Sequence, residues 1–427
     1  MLSSEKVLHH IWKYKLFSFQ DLSTINNESI KIISSGLHNH DAGPDFHNAK
    51  IEIDETLWAG NVEIHIKSSD WLKHQHQKDK AYDNVILHVV WEHDEEIIRS
   101  DGTIISCLEL KTIVDPKLLD NYHQLKENNY WIPCETQLQN IDNFTKNQCL
   151  DRMMMERLAQ KSILIKDLYE QQKGNWEETF YITLAKSFGF KVNALPFEIL
   201  AKNVPQRILA KHKDQPKQIE ALIFGMSGLL NVSFKDDYPK QLKIEFEFLK
   251  AKYNLSHIKT EAWKFSKTRP DNFPTVRLAQ FAALVLNSQH LFSQIISIQK
   301  LKDFKKLFEK LPINSYWETH YLFDKEVSNR SAILGKTSIN GLLLNAIIPL
   351  LFYYGRQSGN KLYVDLVIQI LEEIKPEENQ ITKGFKERGF KIESAFDSQA
   401  LIHLKKYFCD HKNCLNCGIG LKILKST

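Results

Sequence analysis

The stretch of sequence that decides the fold is GPDFHNAKIEIDETLWAGNVEIHI, residues 43–66, followed by VILHVVW, residues 85–91. Apolar and polar residues alternate over residues 49–53 and again over residues 58–66, which is typical of half-buried strands that form a hairpin. The continuous apolar run at residues 85–91 is typical of a central strand that is buried on both faces. These segments predict the core of a small sheet.

Helical and loop patterns surround this core. Residues 5–19 have apolar side chains at helical spacing, and residues 26–43 are rich in Asn and contain Gly, which predicts turns and loop. Residues 69–84 predict a short helix, and residues 104–110 a further strand. The N-terminal part is therefore predicted to combine helices with a mixed sheet.

The later part of the chain has a different pattern. From about Gln148, apolar residues recur at three-, four- and seven-residue steps, which predicts a long amphipathic helix. Further helices are predicted around residues 177–188, 217–231, 241–253, 275–298, 341–354 and 398–408. The predicted fold class is therefore α+β, with a small mixed-sheet domain over residues 1–130 and a mostly helical domain over residues 131–427.

Charge is distributed unevenly along the chain. Residues 1–111 contain 11 basic and 18 acidic side chains, a net charge of −7, whereas the remainder contains 45 basic and 34 acidic side chains, a net charge of +11. An acidic segment attracts metal ions and repels phosphate. A DNA or RNA partner is therefore expected to be bound mainly by the basic helical region.

Hydropathy and cysteine content predict a cytoplasmic protein with no membrane partner. No apolar run approaches the ~20 residues that span a bilayer, and the first residues offer no apolar region of the kind found in signal peptides. Six cysteines in 427 residues are too few for a disulfide scaffold and suit a reducing compartment.

Histidines and carboxylates are concentrated in residues 36–93, which contain eight of the 17 histidines. Glu63, His65 and Lys67 alternate along one predicted strand and are expected on the same face. Asp45 begins the neighbouring strand, so its carboxylate is expected close to that of Glu63. Paired carboxylates are the usual ligands of Mg²⁺ or Mn²⁺, and His65 or Lys67 would then assist the attacking water.

Each of these groups also has a structural explanation. Asp45 follows Gly-Pro, a position at which an Asp side chain often stabilises a turn by hydrogen bonds to the backbone. His88 lies inside the apolar strand and is predicted to be a buried core histidine that forms a hydrogen bond. His74 and His76 are two residues apart in a predicted helix, so they are expected to diverge and to be exposed. Glu63 is the hardest to explain without a site, because a carboxylate in an apolar strand must be exposed, paired or metal-bound.

The order Pro44-Asp45, then Glu63-x-His65 on the next strand, then a helix and a buried strand, resembles the core of PD-(D/E)XK nucleases. The resemblance implies that Asp45 and Glu63 bind a divalent metal ion, and that a lysine two residues after the Glu helps to activate water. Here His65 occupies the position of that lysine, and Lys67 lies one strand period further on.

A second resemblance extends over most of the chain. Six segments resemble an uncharacterised bacterial family, a domain of unknown function. They are DAGPDFHNAKI, LWAGNVEIHIKSSDW, AYDNVILHVV, WIPCE, RPDNFPTVR and CLNCGIG. That family implies no established activity or ligand. It implies that Cys134 and the C-terminal cysteines belong to one continuous structure.

The C-terminal cysteines form a third candidate site. Cys409, Cys414 and Cys417 lie within nine residues, with His411 between them, and can close around one zinc ion. An iron–sulfur cluster is the alternative, with Cys134 as a distant fourth ligand, an arrangement that resembles the iron-staple nucleases. Ordinary reduced thiols are the remaining alternative.

Three functions follow from these patterns. The leading hypothesis is a divalent-metal-dependent nuclease or phosphodiesterase of PD-(D/E)XK type that acts on nucleic acid. The second is a non-catalytic scaffold that binds nucleic acid or protein and has a degenerate nuclease-like core. The third is a zinc-dependent hydrolase that uses His38, His40 and Glu63. Nuclease chemistry needs Asp45 beside Glu63, zinc chemistry needs converging imidazoles, and a scaffold needs neither.

Overall fold

A mixed sheet and a large set of helices form the two units of the chain, which a computed structural model describes over residues 4–266, 268–288 and 290–425. The first unit consists of Met1–Asp151, Glu387–Phe390 and His403–Thr427. The second consists of Arg152–Lys386 and Lys391–Ile402. The first unit therefore includes both the sheet and the C-terminal cysteines.

Six strands form the sheet of the first unit. They are β1 (Ile30–Ser34), β2 (Leu37–His38), β3 (Phe46–Ile53), β4 (Thr56–Lys67), β5 (Val85–Glu92) and β6 (Cys107–Glu109). The strand order is β1-β3-β4-β5-β6, and β2 pairs with β3. The strands β1, β3 and β4 are antiparallel, whereas β4, β5 and β6 are parallel. The predicted hairpin, the buried central strand and the α+β class are confirmed.

The prediction of loop over residues 26–43 is wrong in part. Strand β1 pairs with β3 and buries Ile30 and Ile32. This alternation is short and lies between Asn-rich and Gly-containing segments, so its strand signal is weak. The first helix is also shorter than predicted and ends at Lys13, because Lys15 adopts a left-handed conformation with φ of 52°.

Helices make up most of the remaining structure. In chain order they are α1 (Glu5–Lys13), α2 (Asp70–Lys73), α3 (Pro116–Glu127), α4 (Asn143–Gln171), α5 (Trp176–Phe188), α6 (Ala194–Asn203), α7 (Gln206–Leu209), α8 (Pro216–Met226), α9 (Asp237–Tyr253), α10 (Pro274–Asn287), α11 (Leu291–Ser297), α12 (Leu301–Glu309), α13 (Lys336–Leu342), α14 (Ile348–Ser358), α15 (Lys361–Glu373), α16 (Gln380–Glu387), α17 (Ala395–Leu404) and α18 (Gly418–Lys425). The second unit also has a hairpin of β7 (His320–Leu322) and β8 (Lys325–Glu326).

The helical prediction for the later part of the chain is confirmed in outline. The predicted long helix is α4, and α5, α8 and α9 lie where amphipathic periodicity placed them. The predicted helix over residues 275–298 is instead two helices, α10 and α11, and residue 289 between them lies outside the described residues.

One stretch of the described chain, Lys336–Ser358, is long and apolar enough to cross a membrane. It comprises α13, a π-helical turn over Leu343–Ile347 and α14. In its most apolar window 61% of the residues are buried inside the protein, and Leu342 and Leu350 are fully buried. A core helix of a globular unit has these same properties.

Helices α8 and α9 pack so closely that the contact depends on a glycine. A Cβ atom added to Gly225 would lie 2.0 Å from the ring of Phe246, which is itself buried. We expect Gly225→Ala to lower the free energy of unfolding by about 2 kcal/mol, because overpacking outweighs the gain in helix propensity. The measurement is urea denaturation followed by circular dichroism.

Gly335→Ala is the matched control for this prediction. Gly335 has φ of −69°, and a Cβ added there meets nothing within 4 Å. We expect this variant to lose no more than about 0.5 kcal/mol, because Gly335 is the N-cap of α13, where alanine is somewhat less favourable than glycine. Equal stabilities for the Gly225→Ala variant and the wild type would contradict the close packing of α8 on α9.

Candidate metal centre

Asp45 and Glu63 lie side by side on neighbouring strands. In the ladder between β3 and β4, Phe46 pairs with Val62, which brings the residue before Phe46 next to the residue after Val62. The N–H of Asp45 donates to Glu63 Oε2 (3.1 Å), and the N–H of Ile64 donates to Asp45 Oδ2 (3.0 Å). The structure therefore brings together the two carboxylates that the sequence singled out.

Glu63 is only 5% exposed, and two imidazoles lie within ion-pairing distance of its carboxylate. Its Oε1 atom lies 3.5 Å from His65 Nε2 and 3.4 Å from His76 Nε2. Across the described ranges no Lys or Arg side chain lies within ion-pairing distance of this carboxylate. Burial, and then the charge of Asp45, raise the pKa of Glu63 to about 9. The group is therefore neutral at pH 7 unless a cation takes the place of its proton.

Neighbouring imidazoles form a connected row that begins inside the sheet. His88 on β5 is fully buried, and its Nε2 lies 2.9 Å from His65 Nδ1. His65 Nε2 lies 3.1 Å from His74 Nδ1, and the donor atoms of His65, His74 and His76 all lie within 4.8 Å of one another. Burial lowers the pKa of His65 to about 2 and that of His88 to about 3. These imidazoles are therefore neutral, which is the form that binds metal ions.

His74 and His76 do not diverge as the predicted helix required. Helix α2 ends at Lys73, and Gln75 adopts a left-handed conformation with φ of 61° before a 3₁₀ turn begins at His76. The two imidazole rings are consequently 5.4 Å apart, and the ring of Tyr82 stacks on His76 at 3.8 Å. The predicted divergence is wrong, because a left-handed residue that is not glycine is uncommon and gives no clear pattern in sequence, whereas His74 is exposed as predicted.

Two residues of α1 adjoin this cluster, and the sequence reasoning missed both. His9 Nε2 lies 3.2 Å from Asp45 Oδ2. Burial raises the pKa of Glu5, and the charges of His74, Asp45 and His9 also act on it, so Glu5 lies close to the same groups. Residues four apart share one face of a helix. The spacing of Glu5 and His9 was therefore the available signal.

Lys67 lies away from Glu63 although both belong to β4. Its ammonium group is 3.6 Å from Asp94 Oδ2 and is about half exposed. The group that adjoins Glu63 on this strand is therefore His65. Of the two candidates for the role of the nuclease lysine, His65 contacts Glu63 and Lys67 contacts Asp94.

His38 and His40 have different neighbours from the histidines at Glu63. The ring of His38 stacks on Phe46 at 4.8 Å and contacts the rings of His9 and His40 at 5.5 Å and 4.4 Å. The imidazoles that converge beside Glu63 are those of residues 65, 74 and 76. The convergence of His38 and His40 on Glu63, which the zinc hypothesis required, is therefore not found among the described contacts of these residues.

A cavity of about 1060 Å³ adjoins Asp45 and His9 in the first unit. Basic and imidazole side chains predominate among the charged and chargeable groups of its lining, which are Lys6, His10, Lys13, His38, His40, Asp41, Lys126, His411 and Lys412. They come from α1, α3, the β2–β3 region and the C-terminal segment. A cavity with this lining suits an anionic ligand.

The C-terminal cysteines also belong to the first unit. Cys417 is buried, and its sulfur lies 3.9 Å from the sulfur of Cys149, a residue that the sequence did not single out. Cys134 is buried, whereas Cys409 and Cys414 are half-buried. His411 is exposed and lines the cavity described above.

The family model described as a protein of unknown function (DUF2851) matches residues 5–380 of the chain. No curated protein and no solved structure matches the chain. The match covers the carboxylate and histidine cluster and Cys134 but ends before Cys409. The chain belongs to this family, which confirms the second resemblance, and the family description assigns no activity to it.

Proposed function

We propose that this member of the DUF2851 family is a metal-dependent phosphodiesterase that acts on nucleic acid. The observation that carries the proposal is Glu63, a buried carboxyl with two imidazole nitrogens within 3.5 Å and no Lys or Arg partner in the described ranges. Burying a carboxylate without a cation is costly. A divalent ion would supply the missing charge and would bind the donors already present.

The spacing of these donors fits a transition-metal ion. The donor atoms of His65, His74 and His76 lie within 4.8 Å of one another, and Glu63 Oε1 lies 3.5 Å and 3.4 Å from the nearest nitrogens of His65 and His76. Bonds of about 2.0–2.2 Å in tetrahedral geometry place adjacent ligands roughly 3.3–3.6 Å apart. Imidazole ligands favour Zn²⁺ over Mg²⁺, and the carboxylate of Glu63 also suits Mn²⁺. We therefore assign the ion to Glu63 and these three histidines.

Residues of the chain would position the ligands of the ion and transfer the proton. A bound ion lowers the pKa of water and stabilises charge on a phosphoryl oxygen. His88 holds the ring of His65 through the contact between their nitrogens. His9 lines the cavity and lies against Asp45, so it is placed to give a proton to the leaving oxygen while Asp45 holds its ring.

Two further observations support nucleic acid as the substrate class. Asp45 directly precedes β3 and Glu63 lies beside it on β4, and helix α2 and the buried strand β5 follow, which is the order on which the resemblance to PD-(D/E)XK nucleases was based. The cavity beside Asp45 is lined by lysines from three segments. We therefore place the nucleic acid at this cavity, with the basic C-terminal segment as part of its binding site.

A metal panel tests the proposed activity. Labelled single- and double-stranded DNA and RNA are incubated with the metal-stripped protein and with Mn²⁺, Zn²⁺, Mg²⁺ or EDTA. We expect cleavage with Mn²⁺ or Zn²⁺, much less with Mg²⁺ and none with EDTA. Binding without cleavage under every condition would favour the scaffold function instead.

Substitutions in the cavity provide an independent prediction about substrate binding. Lys6→Met combined with Lys126→Met should weaken oligonucleotide binding about tenfold and reduce the slope of log K against log salt by about 1.5, because two phosphate contacts are lost. Fluorescence anisotropy at several salt concentrations measures both quantities. Lys50→Met, at an exposed position on β3, is the control. An unchanged salt slope in the double variant would place the nucleic acid elsewhere.

A further inference from the structure

We infer that Cys134, Cys409, Cys414 and Cys417 form a four-thiolate metal centre in the first unit. This centre is separate from the carboxylate and histidine cluster and does not depend on the proposed function. Three of its members come from one short C-terminal segment, and the fourth lies more than 270 residues earlier in the chain. The centre would therefore tie the C-terminal segment to the part of the unit that contains Cys134.

The backbone folds the C-terminal cysteines into one compact turn. Cys409 ends a π-helical turn, and the chain reverses at Lys412, which has φ of 50°. The N–H of Lys412 donates to the carbonyl of Cys409 (3.1 Å), and the N–H of Cys417 donates to the carbonyl of Cys414 (3.1 Å). Three cysteines thus project from a single reversal of the chain.

Helix α18 returns closely over this turn. A Cβ atom added to Gly420 would lie 2.2 Å from the carbonyl oxygen of Cys414, so only glycine permits the approach. A Cβ atom added to Gly418, the first residue of the helix, would lie 3.6 Å from the Cβ and 3.9 Å from the sulfur of Cys149, so the start of the helix lies against that side chain. Cys149 lies behind Cys417, 3.9 Å from its sulfur. Cys149 therefore supports the turn from outside the proposed quartet.

The segment that precedes Cys134 contacts the C-terminal segment before and after the turn that contains Cys414 and Cys417. The ammonium group of Lys412 donates to the carbonyl of Lys126 (2.8 Å) and to Asn129 Oδ1 (3.1 Å). The side-chain amide of Asn121 donates to the carbonyl of Ile423 (3.0 Å). The segment that leads to Cys134 is thereby fixed against the C-terminal segment.

The four sulfur atoms lie close enough to influence one another. Burial raises the pKa of Cys409, and Cys417, Cys134 and Cys414 raise it further. Burial likewise raises the pKa of Cys134, with smaller effects of Cys417 and Cys414, and Cys417 acts on Cys414. These electrostatic effects agree with the contacts that hold the two segments of the first unit together.

A metal explains this gathering better than a disulfide does. All four cysteines are free thiols, and the sulfurs of Cys149 and Cys417, at 3.9 Å, are far beyond the S–S bond length of about 2.05 Å. Soft thiolates select zinc or iron–sulfur clusters. The charges of Lys405 and Lys412 offset only part of the rise that burial causes in the pKa of Cys409 and Cys414, so a bound metal would have to supply the charge that holds the thiolate forms.

The spacing of the sulfur atoms bears on which metal is bound. Within the described chain, only His65, His74 and His76 have donor atoms that all lie within 4.8 Å of one another. The four sulfurs are therefore spread more widely than the donors of one ion. An iron–sulfur cluster, whose cysteines bind separate iron atoms, fits such spacing better than a single zinc ion does.

Metal analysis of the full chain purified without oxygen tests this inference. We expect iron with acid-labile sulfide, or zinc, bound at the cysteines and lost when Cys134→Ser or Cys414→Ser is introduced. Cys107→Ser is the matched control, because Cys107 is buried on β6 of the same unit and lies outside the quartet. That variant should retain the full metal content.

A thiol titration of the wild-type protein tests the same inference without a variant that could fail to fold. Thiols are titrated in the native protein, before and after a chelator is added. We expect the chelator to release metal and to expose four additional reactive thiols. Wild-type protein without iron or zinc would overturn the inference, as would a Cys134→Ser variant that retains its metal or thiol reactivity that the chelator leaves unchanged.

Discussion

Glu63→Gln is expected to lower the rate of metal-dependent phosphodiester cleavage on the order of 10³-fold, while the protein stays folded. The amide keeps the shape of the side chain and can still accept the N–H of Asp45, which donates to Glu63 Oε2. It cannot supply the negative charge that a divalent ion requires. Single-turnover cleavage of a labelled oligonucleotide at saturating Mn²⁺ measures the effect.

Glu52→Gln is the matched control for this variant. Glu52 belongs to the adjacent strand β3, is partly exposed and pairs with Lys31 at 3.8 Å. Its replacement should leave both cleavage and stability unchanged within about 0.5 kcal/mol. Cleavage by the Glu63→Gln variant at the wild-type rate would remove Glu63 from the site, and the proposed mechanism would fail with it.

Glu220→Gln is expected to stabilise the second unit at pH 8 by about 3 kcal/mol relative to the wild type and to have little effect below pH 4.5. Glu220 on α8 is 7% exposed and accepts hydrogen bonds from Tyr238 and from Asn314 Nδ2. Burial is the main cause that raises its pKa from 4.5 to about 7. The glutamine has no charge to bury, so its stability should lack this dependence on pH.

The sign follows from the order in which the two states lose the proton. Below pH 4.5 the carboxyl is protonated in both states and costs nothing. As pH rises from 4.5 to 7, the unfolded state ionises first, so the wild type becomes progressively less stable; above pH 7 the loss is constant. Urea denaturation at pH 5 and pH 8 measures it. Glu247→Gln, at an exposed position on α9, should show the wild-type dependence on pH, and a Glu220→Gln variant that also does so would contradict this explanation.

Local patterns in the sequence predicted the frame of the first unit well. The alternation around Glu63 identified β4, and the apolar run around His88 identified the buried strand β5. Glu63 was recognisable as a site residue because a carboxylate inside an apolar strand needs a partner. His88 is, as predicted, a hydrogen-bonded core histidine, and its partner is His65.

Features that depend on tertiary structure or on one unusual backbone angle were not predictable. The left-handed Gln75 reverses the chain and turns two predicted surface histidines, His74 and His76, toward His65. Cys149 and Cys417 meet although 268 residues separate them. His9 reaches Asp45 only because α1 packs on the sheet. In each case the neighbour is set by the packing of distant segments, which local spacing does not encode.

Anomalous diffraction from a crystal soaked with Mn²⁺ or Zn²⁺ tests the central claim most directly, because it locates the ion without reference to activity. The account predicts an ion bonded at about 2.0–2.2 Å to Glu63 and to nitrogens of His65, His74 and His76. An ion bound elsewhere, or Glu63 without metal at millimolar concentration, would contradict the assignment of this cluster as a metal centre.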